Sequence, residues 1–168
     1  MILSRTTAEA VSSCLGFIRR GVEAYVLGRE IGKGLVYLLE KVSGGDIPTA
    51  EVITRLDAYW VEKSAILTEN KLMALEDRIL TLKAIAEDCS TSLEMVHKIV
   101  EIFNTERGIQ HMTMHKAKGL ECDGDVYTLN PSNIPHPRAK QVWQREEEYR
   151  LLYVAITRAK RGLFYVGK

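Results

Sequence analysis

Thr113-Met114-His115-Lys116-Ala117-Lys118-Gly119-Leu120-Glu121 is an alternating run that turns basic and then breaks at a glycine. In Gln110–His115, Met112 and Met114 point one way while His111, Thr113 and His115 point the other, which is the period of a strand. Further on, Val126–Leu129 and Leu163–Val166 are apolar runs of strand length. Between them lie a loop with three prolines, Asn130–Arg138, and a helix predicted over Arg145–Arg161 with Gly162 as its stop. Upstream, Met1–Ser4 and Val22–Leu27 read as short strands. They flank a helix that opens on Thr6-Thr7-Ala8-Glu9, a capping box, carries Val11, Leu15 and Ile18 at helical spacing, and ends near Gly21. Strands alternating with helices predict a parallel α/β sheet.

The centre of the chain has a different period. Leu35, Leu38, Leu39 and Val42 mark another amphipathic helix, and Ser43-Gly44-Gly45-Asp46 is a break. After it, strand character disappears until Gly108. Val52, Leu56, Tyr59 and Lys63 share one helical face, and Leu72, Leu75, Ile79, Leu82 and Ala86 recur at helical spacing. A second capping box, Thr91-Ser92-Leu93-Glu94, precedes an expected apolar stripe of Leu93, Val96, Val100 and Phe103. The expected organisation is one α/β domain built from 1–42 plus 109–168, with an all-helical insertion at 43–108. Trp60, Trp143 and Tyr153, the last inside an apolar run, are expected to be packing residues, with an exposed place left open for Trp143 beside the loop.

Composition excludes several classes. The 168 residues carry 23 basic and 22 acidic side chains, a net +1, and 46% are hydrophobic, as expected of a folded globular chain. No apolar run approaches the roughly 20 residues of a membrane span, and the first residues lack the basic leader of a signal peptide. Cys14, Cys89 and Cys122 are odd in number and match no zinc or redox spacing, so they read as reduced thiols of a cytoplasmic protein. The near-zero total hides an asymmetry: residues 1–42 carry +2, residues 43–108 carry −5 and residues 109–168 carry +4.

Two stretches carry chemistry. Thr113–Glu121 is a strand that ends in a basic, glycine-opened turn, and open α/β sheets bind ligands outside the carboxyl ends of their strands. Glycine permits close backbone approach to a phosphate and lysine brings compact charge. Glu146–Lys160 is a helix with an acidic start and a basic end, suiting its dipole, with Arg158 placed to reach outward. His111 and His115 have the four-residue spacing of a metal pair on a helix, but they lie in a strand pattern, so no metal site is predicted. A phosphate-cradling P-loop is also missing. Gly28-Arg29-Glu30-Ile31-Gly32-Lys33-Gly34 is one residue short between its glycines and has glycine where the hydroxyl belongs.

Those two stretches resemble motifs V and VI of superfamily 1A helicases of the UvrD, Rep and PcrA kind. The first matches at Thr113, His115, Lys118, Gly119, Leu120 and Glu121. The second matches at Glu147, Glu148, Arg150, Leu151, Tyr153, Val154, Ala155, Thr157, Arg158 and Ala159. Ile2–Ala8 resembles the family's motif IV, a strand ending in an arginine, and Val22–Gly28 with Glu30-Ile31 resembles the segment after it. Two departures stand out: Ser4 replaces an adenine-stacking aromatic residue, and Tyr149 replaces one arginine of motif VI. The helical block occupies the place of subdomain 2B but is much shorter.

The resemblance implies a RecA-like, P-loop NTPase-type parallel sheet flanked by helices, the second motor domain of an ATP-dependent DNA helicase. ATP and Mg2+ would be bound jointly with a P-loop domain, upstream in the same polypeptide or on a separate subunit. Arg158 and Arg5 would be the catalytic arginine fingers, and Gly119 and Glu121 would join them in binding ATP. Thr113, His115, Lys116 and Lys118 would contact single-stranded DNA. The chain alone is expected to be inactive, and its start directly on a strand suggests a fragment. The alternatives are a stand-alone single-stranded nucleic-acid-binding or regulatory module, or one subunit of a split helicase or helicase–nuclease.

Overall fold

The computed structural model describes residues 1–167. Five strands form one all-parallel sheet: β1 (Ile2–Ser4), β2 (Ala24–Val26), β3 (Ile109–Thr113), β4 (Val126–Leu129) and β5 (Leu163–Val166), in the order β2-β3-β1-β4-β5. Six helices accompany them: α1 (Thr7–Ile18), α2 (Arg29–Ser43), α3 (Thr49–Ser64), α4 (Glu69–Ala86), α5 (Ser92–Asn104) and α6 (Val142–Ile156). None of them is long and apolar enough to cross a membrane.

The chain forms two compact units, Met1–Leu27 with the segment from Arg107 onward, and Gly28–Glu106. The boundaries expected from sequence fell after residue 42 and after residue 108. In the structure α2 packs on α5 and α3 inside the helical unit. Gly32 makes that packing close, because a Cβ there would lie 2.9 Å from Cβ of Phe103.

The sheet unit has a layer on each face. β1 is central, with Leu3 in register with Met112 and Ile2 with His111. Alternation therefore sends Leu3, Met112 and Val126 to one face, where they pack with Met114, Ala117, Ile134 and Ala155 of α6. His111 faces the other side and meets Ser13 and Phe17 of α1. Both faces of β3 are thus covered, as parallel sheets require. The strand expected over Gln110–His115 ends two residues early, and Met114–Gly119 is a turn. His115 is exposed there rather than standing on the strand beside Thr113.

α1 starts as its capping box demands: Thr6 Oγ1 accepts from Glu9 N at 3.2 Å, and the Glu9 carboxylate accepts from Thr6 N at 3.4 Å. α5 uses half of the same device. Thr91 Oγ1 accepts from Glu94 N, while the Glu94 carboxylate reaches one residue further back, to Ser90 N at 2.6 Å. The expected α5 stripe is corrected. Met95, Ile99, Ile102 and Phe103 are buried, whereas Leu93 and Val100 are about half exposed. Of the expected stripe, Phe103 is buried against Gly32 of α2, and Val100 lies beside α2 at the rim of a groove that Gly32 and Val36 also line.

α6 is shifted too. It spans Val142–Ile156, not Arg145–Arg161, and ends where Thr157 Oγ1 turns back to the carbonyls of Tyr153 and Val154. Ala155, with Leu151 and Leu152, faces the sheet. Tyr153 lies about 160° round the helix from Ala155, so it is 67% exposed rather than core. Trp143, for which the sequence leaves packing and exposure both open, is half exposed.

Gly108 and Gly119 test the packing. Both have positive φ, +87 and +84, but a Cβ at Gly108 would lie 1.9 Å from the carbonyl oxygen of Glu23, while Gly119 faces open space. Gly119→Ala should cost about 1 kcal/mol of left-handed strain. Gly108→Ala must also displace backbone and should cost several-fold more. Urea unfolding midpoints of the two variants check this order.

Candidate functional site

The expected site residues fall into two groups, one at the carboxyl ends of β1 and β3 and one beside the amino ends of β4 and β5, joined by the turn Met114–Gly119. At the carboxyl ends, β1 leaves toward β2 through α1 while β4 leaves toward β5 through α6. Connections that depart in opposite directions open a crevice between adjacent strands, the usual ligand position in open α/β sheets. Arg5 is the first residue after β1 and points into this region, where Glu148 of α6 takes it. Nε donates to Oε2 at 2.6 Å and Nη2 to Oε1 at 2.5 Å. The two side chains are only 13% and 10% exposed. Glu148 Oε2 also accepts from His136 N at 3.2 Å, which ties in the loop after β4. Burial works against the Glu148 charge, but the Arg5 guanidinium and the His136 N–H more than offset it and hold the carboxyl below its ordinary value.

One strand over, β3 ends at Thr113, which is buried, with Oγ1 accepting from Lys116 N at 3.4 Å. His115, Lys116 and Lys118 follow on the exposed turn. Thr113 therefore anchors the turn, and its three cationic or cation-forming neighbours present themselves to solvent.

The second group sits beside the amino ends of β4 and β5. Cys122 N donates to Arg158 O at 3.0 Å and Lys160 N to Cys122 O at 3.1 Å, a parallel bridge that extends the β4–β5 ladder backward. Arg158 Nη1 donates to Leu120 O at 2.7 Å, Nε to Val154 O at 2.9 Å and Nη2 to Thr157 Oγ1 at 2.9 Å. Glu121, exposed, pairs with Lys160 at 2.8 Å, and Lys160 also takes Asp123 at 2.9 Å. Lys160 bonds and charge keep the Glu121 carboxyl below its usual range, and the two carboxylates push the Lys160 ammonium upward. Gly119, Glu121 and Arg158 are thus brought to one place.

Arg5 is not brought there. Its guanidinium lies at Glu148, and that of Arg158 lies at the Val154 carbonyl, six residues on. That is about 9 Å along the α6 axis and on a different face of the helix. The two arginines do not converge on one point. Two contributors had no assigned role in the sequence: Glu148, which holds Arg5, and Lys160, which holds Glu121. Their motif letters were visible, but nothing in the spacing shows which cation a carboxylate will meet across 143 residues of chain.

Comparison with known proteins gives a consistent family. The family described as the UvrD-like helicase C-terminal domain matches residues 53–166, more than half of the chain. PcrA of Staphylococcus aureus, named an ATP-dependent DNA helicase, is 42% identical over 78 residues, 44% of this chain and 10% of its own. YjcD of Bacillus subtilis, which also carries a helicase name, is 34% identical over 109 residues, 56% of this chain and 14% of its own. A DNA helicase II homologue of Mycoplasma pneumoniae is 36% identical over 104 residues, 60% of this chain and 13% of its own. The chain therefore spans only a small fraction of the length of these relatives.

Removing one partner of a buried pair strands the other charge. Glu148→Ala should cost about 3–5 kcal/mol, while the paired apolar change Arg5→Met with Glu148→Leu should cost far less. The folded-state value of Glu148 lies below its ordinary 4.5. Its contribution is therefore present above that pH and is lost as pH falls through the lower folded value. Chemical denaturation of wild type and Glu148→Gln between neutral and acid pH checks this: the variant should show the flatter acid limb.

Proposed function

Because this chain belongs to the UvrD-like helicase C-terminal domain family, we propose that it is the second, RecA-like motor half of an ATP-dependent DNA helicase. In this reading ATP sits between this sheet unit and a P-loop domain that the 168 residues do not contain. The observation that carries it is the bridge between the two motif segments, which gathers Gly119, Glu121 and Arg158. Gly119, with φ +84, keeps the turn open where a backbone must approach a nucleotide. The Glu121 carboxylate accepts from a ribose hydroxyl after exchanging its Lys160 partner. Arg158 then turns its fork from the Leu120 carbonyl to the γ-phosphate, where negative charge builds as the bond breaks.

Arg5 stands apart from this group. A nucleotide contact from Arg5 requires it to give up two bonds to Glu148, so the transition-state charge is assigned to Arg158. Among the described residues no cluster of three His, Cys, Asp or Glu is placed to hold a metal ion. Magnesium belongs with the P-loop half, and no step here runs through it. Thr113, His115, Lys116 and Lys118 are proposed to face single-stranded DNA. The two lysines contact phosphates, and Thr113 holds the turn that carries them. Closing the cleft on ATP and reopening it after hydrolysis would step the strand along this edge.

The test needs a polypeptide with both motor halves. Arg158→Ala should lower kcat for DNA-stimulated ATP hydrolysis by about 10³-fold or more with KM for ATP little changed, the effect of losing an arginine finger. Arg158→Lys should recover little, since lysine lacks the planar fork. The 168-residue chain alone should show no turnover above background. A kcat within tenfold of wild type in Arg158→Ala, or turnover by the chain alone that Arg158→Ala abolishes, would sink the assignment.

A further inference from the structure

The stretch from Val126 to Arg145 contains no aspartate or glutamate and three permanent cations, Arg138, Lys140 and Arg145. It comprises β4, the loop leaving its carboxyl end and the first turn of α6. Trp143 stands in this turn, 50% exposed, with Val142 beside it at 75%. The indole Nε1–H donates to Gln141 Oε1, tying the ring to the loop. Lys140 N donates to Gln144 Oε1 at 3.0 Å and Arg145 Nε to Ala139 O at 3.2 Å, so loop and turn are laced together. Among the described residues no carboxylate pairs with Lys140 or Arg145. Of the acids just downstream, Glu146 pairs with Arg150 at 3.6 Å and Glu148 with Arg5 at 2.5 Å, and Glu147 is exposed on α6 beyond the acid-free run.

Position matters as much as charge. Trp143 precedes Glu148 by five residues, so it stands about 7.5 Å along α6 beyond the point where Glu148 holds the end of β1. β4 is two strand spacings from β3, about 10 Å. The cationic turn at His115, Lys116 and Lys118 and the turn at Trp143 therefore lie along one edge of the sheet. Between them the Arg5 charge is cancelled by Glu148.

We propose that the β4–α6 loop and the first turn of α6 form a second contact for single-stranded nucleic acid. Trp143 is its stacking platform, and Lys140 and Arg145 are its phosphate contacts. The proposal rests on the strand-binding role given above to the turn after β3 and extends that path across the sheet edge. An acid-free run of cations complements a phosphate backbone. An exposed indole among them adds what a backbone alone does not need, a π-face for an unpaired base. A duplex keeps its bases stacked on one another, so the platform selects single strands.

Trp60 and Trp143 are the two tryptophans, so Trp60→Phe leaves Trp143 as the sole indole reporter. Oligo(dT) titrated into this variant of the 168-residue chain at low salt should quench its emission, and a duplex of equal length should not. By anisotropy of labelled oligo(dT), Trp143→Ala should weaken binding about tenfold. Lys140→Ala with Arg145→Ala should make the dependence of log affinity on log salt shallower by about 0.7 for each contact removed. Circular dichroism confirms folding, and all three side chains sit at the surface. Three outcomes overturn the proposal. Loss of binding on His115, Lys116 and Lys118 substitution, with the Trp143, Lys140 and Arg145 variants within twofold of wild type, removes it and leaves the first contact standing. Equal binding of duplex without quenching removes the stacking platform. No binding of oligo(dT) by the wild-type chain removes both contacts.

Discussion

The central strand of the sheet is only three residues long, and an ion pair holds its end. β1 is flanked by β3 and β4 and buried throughout. Three residues cannot define an orientation for the residue that follows. Arg5 acquires one because both prongs of its guanidinium engage Glu148 on α6. A carboxylate this buried is tolerable only when its lone pairs are filled, and His136 N supplies a further bond. The end of β1, the loop after β4 and the middle of α6 are thereby one locked body. The Trp143 turn takes its position from that lock, while the turn after β3 is anchored by Thr113.

Much of this architecture was legible because local rules and tertiary needs agreed. The Thr6–Glu9 box predicts the start of α1, and both reciprocal bonds form. Leu163–Val166 reads as a strand and is one, over those residues. The helical middle was visible from the loss of period-two alternation, and of its stripe Leu75, Ile79, Leu82 and Ala86 are buried and Leu72 is half-buried. For the site, Gly119, Glu121 and Arg158 could be marked from motif letters alone. The letters record a three-dimensional constraint, that the turn after β3 and the end of α6 must meet.

Where prediction failed, the sequence offered two faces and only packing chose between them. α5 carries Leu93, Val96 and Val100 on one side and Met95, Ile99 and Ile102 on the other, with Phe103 of the expected stripe between them; packing buried the second set together with Phe103. In α6 the apolar run from Leu151 to Ile156 wraps the helix, so part of it must face water, and Tyr153 does. Arg5 is the instructive case for function. Its motif letters propose a nucleotide contact and leave unmarked the carboxylate that holds it in this structure. The partner lies 143 residues away, and no periodicity encodes such a distance.

α6 is what joins the two ends of the proposed machine. Its 15 residues run about 22 Å, from the turn at Trp143, a proposed strand contact, to the end just before Arg158, the proposed nucleotide contact. A helix is stiff over that length, and this one is pinned at Glu148 and again where Arg158 and Lys160 bridge to Leu120 and Cys122. The nucleotide group cannot pull on Arg158 without loading the same rod that carries Trp143. The turn after β3 is loaded too, because the chain between Thr113 and Cys122 is held at both ends, by the ladder and by the bridge. For the proposed motor half, which would feel ATP at one end of the sheet and a DNA strand at the other, two pinned connections between those ends meet the physical requirement. The Arg5–Glu148 pair is the fixed point of the first, and the β1–β3 ladder that of the second.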